Sequence, residues 1–159
     1  MTHAFDSTLA VRVRDAIAAA PDADAAMAAA VAMLAGEMPA YNWVGIYLLE
    51  HNELVLGPFV GTPSPHSRIP LGRGICGAAA AEQMTIIVDD VTADPRYLAC
   101  SVETRSEIVV PIMQGGSVLG ELDIDSHQQA AFGETDRALL EQVAAHLSVR
   151  LAARAAGSR

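Results

Sequence analysis

The amino-acid sequence predicts an α+β domain in which helices from both ends of the chain pack against a central, mostly antiparallel β-sheet. Apolar residues recur at helical spacing from about residue 134 to 154. In the middle of the chain, the strand-like segments 107–113 and 117–125 flank the dipeptide Gly115-Gly116, which is a strong hairpin signal. The sequence contains no internal repeat and no flexible linker, so we expect one domain.

Local signals predict the other elements in order. Residues 7–20 predict a helix that Pro21 ends, and the Ala-rich segment 22–35 predicts a second helix that Gly36 stops. The middle of the chain consists of short apolar runs between Gly, Pro and polar turn residues, as expected for strands and loops. The remaining predictions are strands at 42–50, 53–60 and 85–90, a short helix at 75–82, and loops at 61–70 and 91–100, the last with room for one helical turn.

The composition limits the classes of partner. Hydrophobic residues make up 52 % of the chain and charged residues 18 %, so the chain should fold. The formal net charge of −9 disfavours nucleic acid and anionic membranes, since both are bound through basic patches. The N-terminus lacks the apolar run of a secretory signal, and no segment is long and apolar enough to span a bilayer. We therefore expect a cytoplasmic protein whose two cysteines are free or catalytic.

The segment "RIPLGRGICGAAAAE" contains the pattern G-x-G-x-x-G at Gly72, Gly74 and Gly77. A dinucleotide-binding loop needs a buried parallel strand directly before the first glycine. Here that glycine follows a proline-rich loop, which disfavours a central strand and therefore a dinucleotide site. The alternative is a scaffold of tight turns that places Cys76 near a helix N-terminus, where the helix dipole favours a thiolate.

Carboxylates alternate along the strand-like segment "SVLGELDID". Glu121, Asp123 and Asp125 are two residues apart and share one face. Alternation alone predicts a solvated face, but acidic residues are poor strand formers, which invites a functional explanation. The face of Glu107 on the partner strand depends on the turn. A two-residue turn places Glu107 on the opposite face, whereas a three-residue turn or a bulge near Pro111 brings it level with Asp123 or Asp125.

Converging carboxylates suit a ligand that carries a positive group. Mutual repulsion would raise the pKa of at least one acid, which could then donate a hydrogen bond while the others hold a cation. The sequence lacks C-x-x-C and H-x-x-x-H pairs, so we predict no metal site. It also lacks the G-x-S-x-G elbow of serine hydrolases. The alternative to a reactive thiol is a cysteine that packs in the core as a small buried hydrophobic residue. The spacing favours this alternative for Cys76 and does not decide between the two for Cys100.

Several motifs in order carry a family resemblance: "NWVGIYLL", "ELVLGPFVG", "RIPLGRGICGAAA", "DDV", "LAC", "SEIVVPI" and "VLGELDIDS". Together they resemble the free methionine-(R)-sulfoxide reductases, which are small GAF-domain enzymes. The resemblance covers about residues 35–152 and implies a single GAF-like domain over 1–159. It implies a central antiparallel sheet with N- and C-terminal helices packed against it, no metal and no bound cofactor. It also suggests a homodimer.

The resemblance assigns roles to individual residues. Cys100, in "LAC", matches the attacking cysteine of the family, and Cys76, in "GRGICG", matches a second cysteine. Without the resemblance, the two aromatic residues Trp43 and Tyr47 would be interpreted as core packing. The residues that match the walls of the substrate pocket are Glu107, Asp123, Asp125, Trp43 and Tyr47.

The resemblance implies reduction of free methionine sulfoxide. The Cys100 thiolate attacks the sulfoxide sulfur while a protonated carboxylic acid donates to the sulfoxide oxygen. Cys100 becomes a sulfenic acid, which condenses with a second thiol to a disulfide that an external reductant such as thioredoxin opens. The remaining carboxylates hold the α-ammonium group, which a peptide-bound methionine sulfoxide lacks.

One position departs from the family pattern. The family usually carries a third, resolving cysteine ten residues before the cysteine matched by Cys76, and here that position is His66. Cys76 could resolve the sulfenic acid instead, or an external thiol could reduce it directly. His66 could bind a ligand or assist proton transfer, or be an ordinary exposed loop residue. The departure also supports a second hypothesis, a non-catalytic GAF module that binds a small molecule or senses redox state.

Overall fold

A computed structural model describes residues 7–99 and 101–157, with side chains described through residue 154. It contains four α-helices, six strands and one 3₁₀ turn, Val91–Ala93, among the described residues. The helices are α1 (Ser7–Ala19), α2 (Ala23–Glu37), α3 (Gly74–Glu82) and α4 (Glu134–Gly157). The strands are β1 (Trp43–Glu50), β2 (Glu53–Val60), β3 (Arg68–Pro70), β4 (Ile86–Val88), β5 (Ser106–Gln114) and β6 (Ser117–Ser126).

The six strands form one sheet in the order β3-β2-β1-β6-β5-β4. Every neighbouring pair is antiparallel. The predicted α+β class with a central antiparallel sheet is therefore confirmed. β6 lies between β1 and β5, so the strand with alternating carboxylates occupies the middle of the sheet.

The two faces of the sheet are covered by different elements. α2 and α4 pack against one face, and α1 packs on both of them. The core on this side includes Val31, Leu122, Ile124 and Leu140, all without exposed surface. The shorter α3 covers the other face, where it contacts β3, β5 and β6. None of the helices in the described residues is both long and apolar enough to cross a lipid bilayer.

The second helix shows one difference from the sequence prediction. Asp22 caps its N-terminus by accepting a hydrogen bond of 2.8 Å from the backbone N–H of Ala25. The predicted stop at Gly36 is wrong, because the helix continues through Gly36 to Glu37 and Met38 is its C-cap residue. A glycine lowers helix propensity but ends a helix only where the backbone turns left-handed, and Gly36 does not have a positive φ.

The predicted loop 61–70 contains a short strand. Arg68–Pro70 forms the edge strand β3, in which Ile69 pairs with Leu54 of β2. Ile69 is buried, and this burial favours an extended segment that the surrounding prolines obscure in the sequence. Pro70 is tolerated because it lies at the end of an edge strand.

Candidate active site

The register of the β5–β6 hairpin places Glu107 among the carboxylates. Gln114 pairs with Ser117 across a two-residue turn, and the register then shifts next to Ile112. A two-residue turn alone would put Glu107 on the opposite face. The register shift at this bulge returns Glu107 to the face that carries Asp123 and Asp125. Glu107 consequently pairs with Asp125, which answers the question that the sequence left open.

Strand β1 brings aromatic side chains to the same face. Trp43 pairs with Asp125 and Tyr47 pairs with Glu121. Gly45, which pairs with Asp123, lies between them, and a Cβ there would overlap the Trp43 ring. The absence of a side chain at Gly45 therefore lets the indole lie across this part of the strand.

This acidic face is buried rather than solvated. Glu107, Asp123 and Asp125 are 4 %, 2 % and 3 % exposed, and Glu121 has no exposed surface. The apolar side chains packed on this face come mainly from α3 and the strands around it. Burial of four acids side by side is costly unless protons or a cation compensate their charge, which is typical of a functional site.

The glycine-rich segment folds into a scaffold. Gly72 and Gly74 adopt φ values of +87° and +69°, a region that favours glycine. A Cβ at Gly77 would lie 2.8 Å from the carbonyl oxygen of Pro70, so the third glycine permits close packing. The backbone N–H of Gly72 donates to the carbonyl oxygen of Gly77 at 2.9 Å. Because β3 is antiparallel to β2, the segment lacks the strand arrangement of a dinucleotide loop.

The pKa values of the four acids are raised by burial. The pKa of Glu107 is raised well above its ordinary value by burial, then by the charges of Asp123 and Asp125, and finally by hydrogen bonds to both. Burial also raises the pKa of Asp123, and burial followed by the charge of Asp123 raises the pKa of Asp125. Hydrogen bonding to Glu107 favours the ionised forms of the two aspartates. Burial therefore favours the protonated forms of these acids, and Glu107 forms hydrogen bonds with both aspartates.

Cys76 is the third residue of α3 and lies against these acids. Burial raises the pKa of its thiol well above the ordinary value, and the charges of Asp123, Glu121 and Glu107 raise it further. The helix dipole predicted from the sequence favours a thiolate, but its partial charge is outweighed by burial and three neighbouring acids. Cys76 is therefore a protonated thiol near neutral pH.

Among the described residues, two small cavities lie between the sheet and the elements that cover this face. The first has a volume of about 10 Å³ and is lined by Tyr47, Ile69, Gly74, Ile75, Cys76, Leu98, Glu107 and Asp123. The second has a volume of about 20 Å³ and is lined by Asn42, Trp43, Thr62, Ser101, Thr104, Asp125 and His127. Each has room for about one water molecule. Both are lined in part by residues close to position 100 in the chain.

Cys100 itself lies outside the described residues. Its neighbour Ala99 is described, and the carbonyl oxygen of Ala99 lies 3.2 Å from Nε2 of His66. A carbonyl only accepts, so Nε2 must carry the proton in this contact. The hydroxyl of Tyr47 donates to the carbonyl oxygen of His66 at 2.8 Å. His66 is half-buried, so it is not an ordinary exposed loop residue. Its two contacts link Ala99 to Tyr47 of β1.

The structure brings most of the predicted residues together. Cys76, Glu107, Asp123 and Tyr47 share the first cavity, whereas Trp43 and Asp125 line the second. The polar neighbours Asn42, Thr62, Ser101 and Thr104 were not predicted, because they lie on three separate loops. No periodic pattern in the sequence connects such residues.

Comparison with known proteins places this geometry in a family. Residues 22–151 match the model of the GAF domain. The free methionine-R-sulfoxide reductase of Escherichia coli is 40 % identical over 128 residues, which cover 80 % of this chain and 77 % of that protein. The chain belongs to the GAF-domain family of free methionine-R-sulfoxide reductases.

Solved structures of GAF proteins agree with this assignment. A free methionine-R-sulfoxide reductase from Neisseria meningitidis, in complex with its substrate, has a TM-score of 0.88 and 40 % identity, covering 94 % of this chain and 89 % of that chain. A putative GAF sensor protein from Burkholderia vietnamiensis has a TM-score of 0.87 and 36 % identity, covering 94 % and 95 %. The similarity to reductases therefore extends through the strands that carry the acidic face.

Proposed function

We propose that this protein reduces free methionine-(R)-sulfoxide to methionine, with Cys100 as the nucleophile. The observation that carries the proposal is the convergence of Glu107, Asp123 and Asp125 on one buried face beside Trp43 and Tyr47. Relatives named free methionine-R-sulfoxide reductase support it. A buried acidic face that holds a proton suits a substrate with a basic sulfoxide oxygen and an ammonium group.

In the proposed reaction, the Cys100 sulfur attacks the sulfoxide sulfur and the S–O oxygen is transferred to Cys100. Methionine leaves with its sulfur reduced, and Cys100 is oxidised to a sulfenic acid. A second thiol attacks this sulfenic acid, forming a disulfide and releasing water. A dithiol then reduces that disulfide and becomes oxidised itself, so each turnover consumes two thiol equivalents.

The acids have different roles in this proposal. Glu107, whose pKa is raised by burial, is the acid that donates a proton to the sulfoxide oxygen as the S–O bond weakens. Asp123 and Asp125 hold the α-ammonium group, whose charge offsets theirs.

The second thiol is either Cys76 or an external molecule. A thiolate is the attacking species in disulfide formation, and the raised pKa of Cys76 keeps its thiol protonated. We therefore favour direct reduction of the sulfenic acid by an external thiol, with thioredoxin as the proposed physiological donor. His66 stands where the family pattern has its third cysteine and supplies no sulfur.

The test is methionine release from free methionine-(R)-sulfoxide, from the (S) isomer and from a peptide-bound form. Each substrate is given to wild type, Cys100→Ser and Cys76→Ser, with dithiothreitol or a thioredoxin system. The proposal expects turnover of the free (R) form alone, abolished in Cys100→Ser. Activity in Cys76→Ser shows that an external thiol completes the cycle, whereas its loss assigns resolution to Cys76.

A second candidate is a non-catalytic module that binds a small amino compound, which the similarity to a protein named a putative GAF sensor favours. This candidate expects binding of methionine sulfoxide without methionine release under every reductant. Titration calorimetry with the free (R) isomer beside the release assay separates the two functions.

A further inference from the structure

Cys76, Glu107 and Asp123 form a compact donor set of one sulfur and two carboxylates. The Cys76 Sγ and one carboxylate oxygen from each acid all lie within 4.8 Å of one another. The three side chains come from α3, β5 and β6, and each is at least nine-tenths buried. Motif spacing in the sequence therefore gave no sign of this set.

Some carboxylate oxygens at this donor set have no hydrogen-bond partner. Oδ1 of Asp123 and Oδ1 of Asp125 are buried without a hydrogen-bond partner. No lysine or arginine among the described residues forms a salt bridge with them. Buried anionic oxygens in this situation are stabilised when a cation occupies the space between them.

The donor types select the class of cation. Calcium and magnesium prefer six or more oxygen ligands, whereas zinc accepts thiolate sulfur together with carboxylate oxygen in a tetrahedral site. Zinc–ligand bonds of about 2.0–2.3 Å place the donors about 3.5 Å apart, so small side-chain shifts would close the set. The three donors line the cavity of about 10 Å³, which has room for one ion.

We propose that Cys76, Glu107 and Asp123 form a binding site for Zn²⁺, with a fourth position open to the first cavity. Three protein ligands and one open position complete tetrahedral coordination. Binding releases to solvent both the thiol proton of Cys76 and the proton held by the carboxyl groups, and leaves a thiolate and two carboxylates bound to the ion. The ion stabilises the acidic face with no change in oxidation state.

Zinc at this site would exclude the sulfoxide. This consequence rests on the proposed function, in which Glu107 and Asp123 bind the substrate; the metal site itself does not. Zn²⁺ is then a reversible inhibitor that competes with free methionine-(R)-sulfoxide, and removal of the metal restores activity. The protein would accordingly lose reductase activity when labile zinc rises.

Cobalt(II) provides a readout that is independent of activity, because a cobalt–thiolate bond gives intense near-ultraviolet absorption. Reduced, metal-free protein is titrated with Co²⁺, and Zn²⁺ is then added to displace it. We expect the absorption in wild type and in Cys100→Ser, and its loss in Cys76→Ser. Glu107→Gln and Asp123→Asn should each weaken Zn²⁺ binding by more than about tenfold.

The two cysteines make the experiment decisive. Absorption that is lost in Cys100→Ser but kept in Cys76→Ser would overturn the proposal, as would Zn²⁺ affinity equal in wild type and Asp123→Asn. Circular dichroism tests whether each variant is folded. If Cys76→Ser does not fold, Asp123→Asn still tests the site, because it removes one proposed ligand and keeps both thiols. If the protein binds Zn²⁺ through Cys76 but releases no methionine, the metal site stands and the proposed function fails.

Discussion

At the residue scale, the proposed mechanism makes Glu107 the proton donor. Its pKa is raised by burial and then by Asp123 and Asp125. Glu107→Gln keeps the shape but cannot release a proton, so we expect kcat for free methionine-(R)-sulfoxide to fall by about 100-fold. Steady-state methionine release measures this, and Glu50→Gln, at the exposed end of β1, is the matched control. Equal loss in both variants would contradict the role.

Glu121 tests how burial of the acids affects stability. Burial raises the pKa of Glu121 in the folded chain above its value in the unfolded chain. The stabilisation from the bound proton is complete below the unfolded pKa of about 4.3 and is lost as pH rises through the folded pKa. Glutamine does not titrate, so Glu121→Gln does not lose stability in this way. The free energy of unfolding of Glu121→Gln, relative to that of wild type, should therefore increase from pH 5 to pH 8. Urea unfolding with a chelator present measures the gain, and an equal difference at both pH values would refute it.

At the element scale, β1 depends on a glycine. A Cβ at Gly45 would overlap the Trp43 ring, so Gly45→Ala should destabilise the fold by about 1–3 kcal/mol through overpacking. Trp43 is the single tryptophan of the chain, so its fluorescence reports the ring displacement directly. Gly36→Ala is the matched control: no atom lies within 4 Å of its added Cβ, and it should stabilise α2 by about 0.5–1 kcal/mol. Unchanged fluorescence in Gly45→Ala would contradict this account.

The contact between His66 and Ala99 joins the loop before β3 to the loop before β5. His66→Ala removes this hydrogen bond, worth about 0.5–1.5 kcal/mol, and should lower kcat by up to about tenfold through loss of Cys100 positioning. His66→Gln can donate from a similar place and should recover most of the loss, whereas His51→Asn in the exposed β1–β2 turn should have no effect. If His66→Gln behaves like His66→Ala, the imidazole itself acts and the positioning role is wrong.

At the scale of the whole molecule, local patterns in the sequence predicted most of the fold. Alternation in β6 and the Gly115-Gly116 turn identified the hairpin, and helical spacing identified α4. The strand β3 was not predicted because a three-residue strand that ends on a proline is too short to show periodicity. Pairing with β2 stabilises it instead. The end of α2 depended on backbone conformation at Gly36, which residue identity does not determine.

The candidate site was less accessible to sequence reasoning. The position of Glu107 depended on a bulge next to Ile112, which is a property of the folded hairpin. The raised thiol pKa of Cys76 follows from burial beside acids on two other strands, and the local helix dipole pointed the opposite way. Long-range contacts therefore decide the chemistry here, although the residue types were visible in the chain.

The measurement that tests the central claim most directly is a single turnover without reductant. Reduced protein is mixed with free methionine-(R)-sulfoxide and a sulfenic-acid trap, and then methionine is counted and the trapped residue is identified by mass spectrometry. The account predicts about one methionine per chain and the trap on Cys100, with neither in Cys100→Ser nor with the (S) isomer. Methionine release with the trap on Cys76, or no release from the (R) isomer, would contradict it.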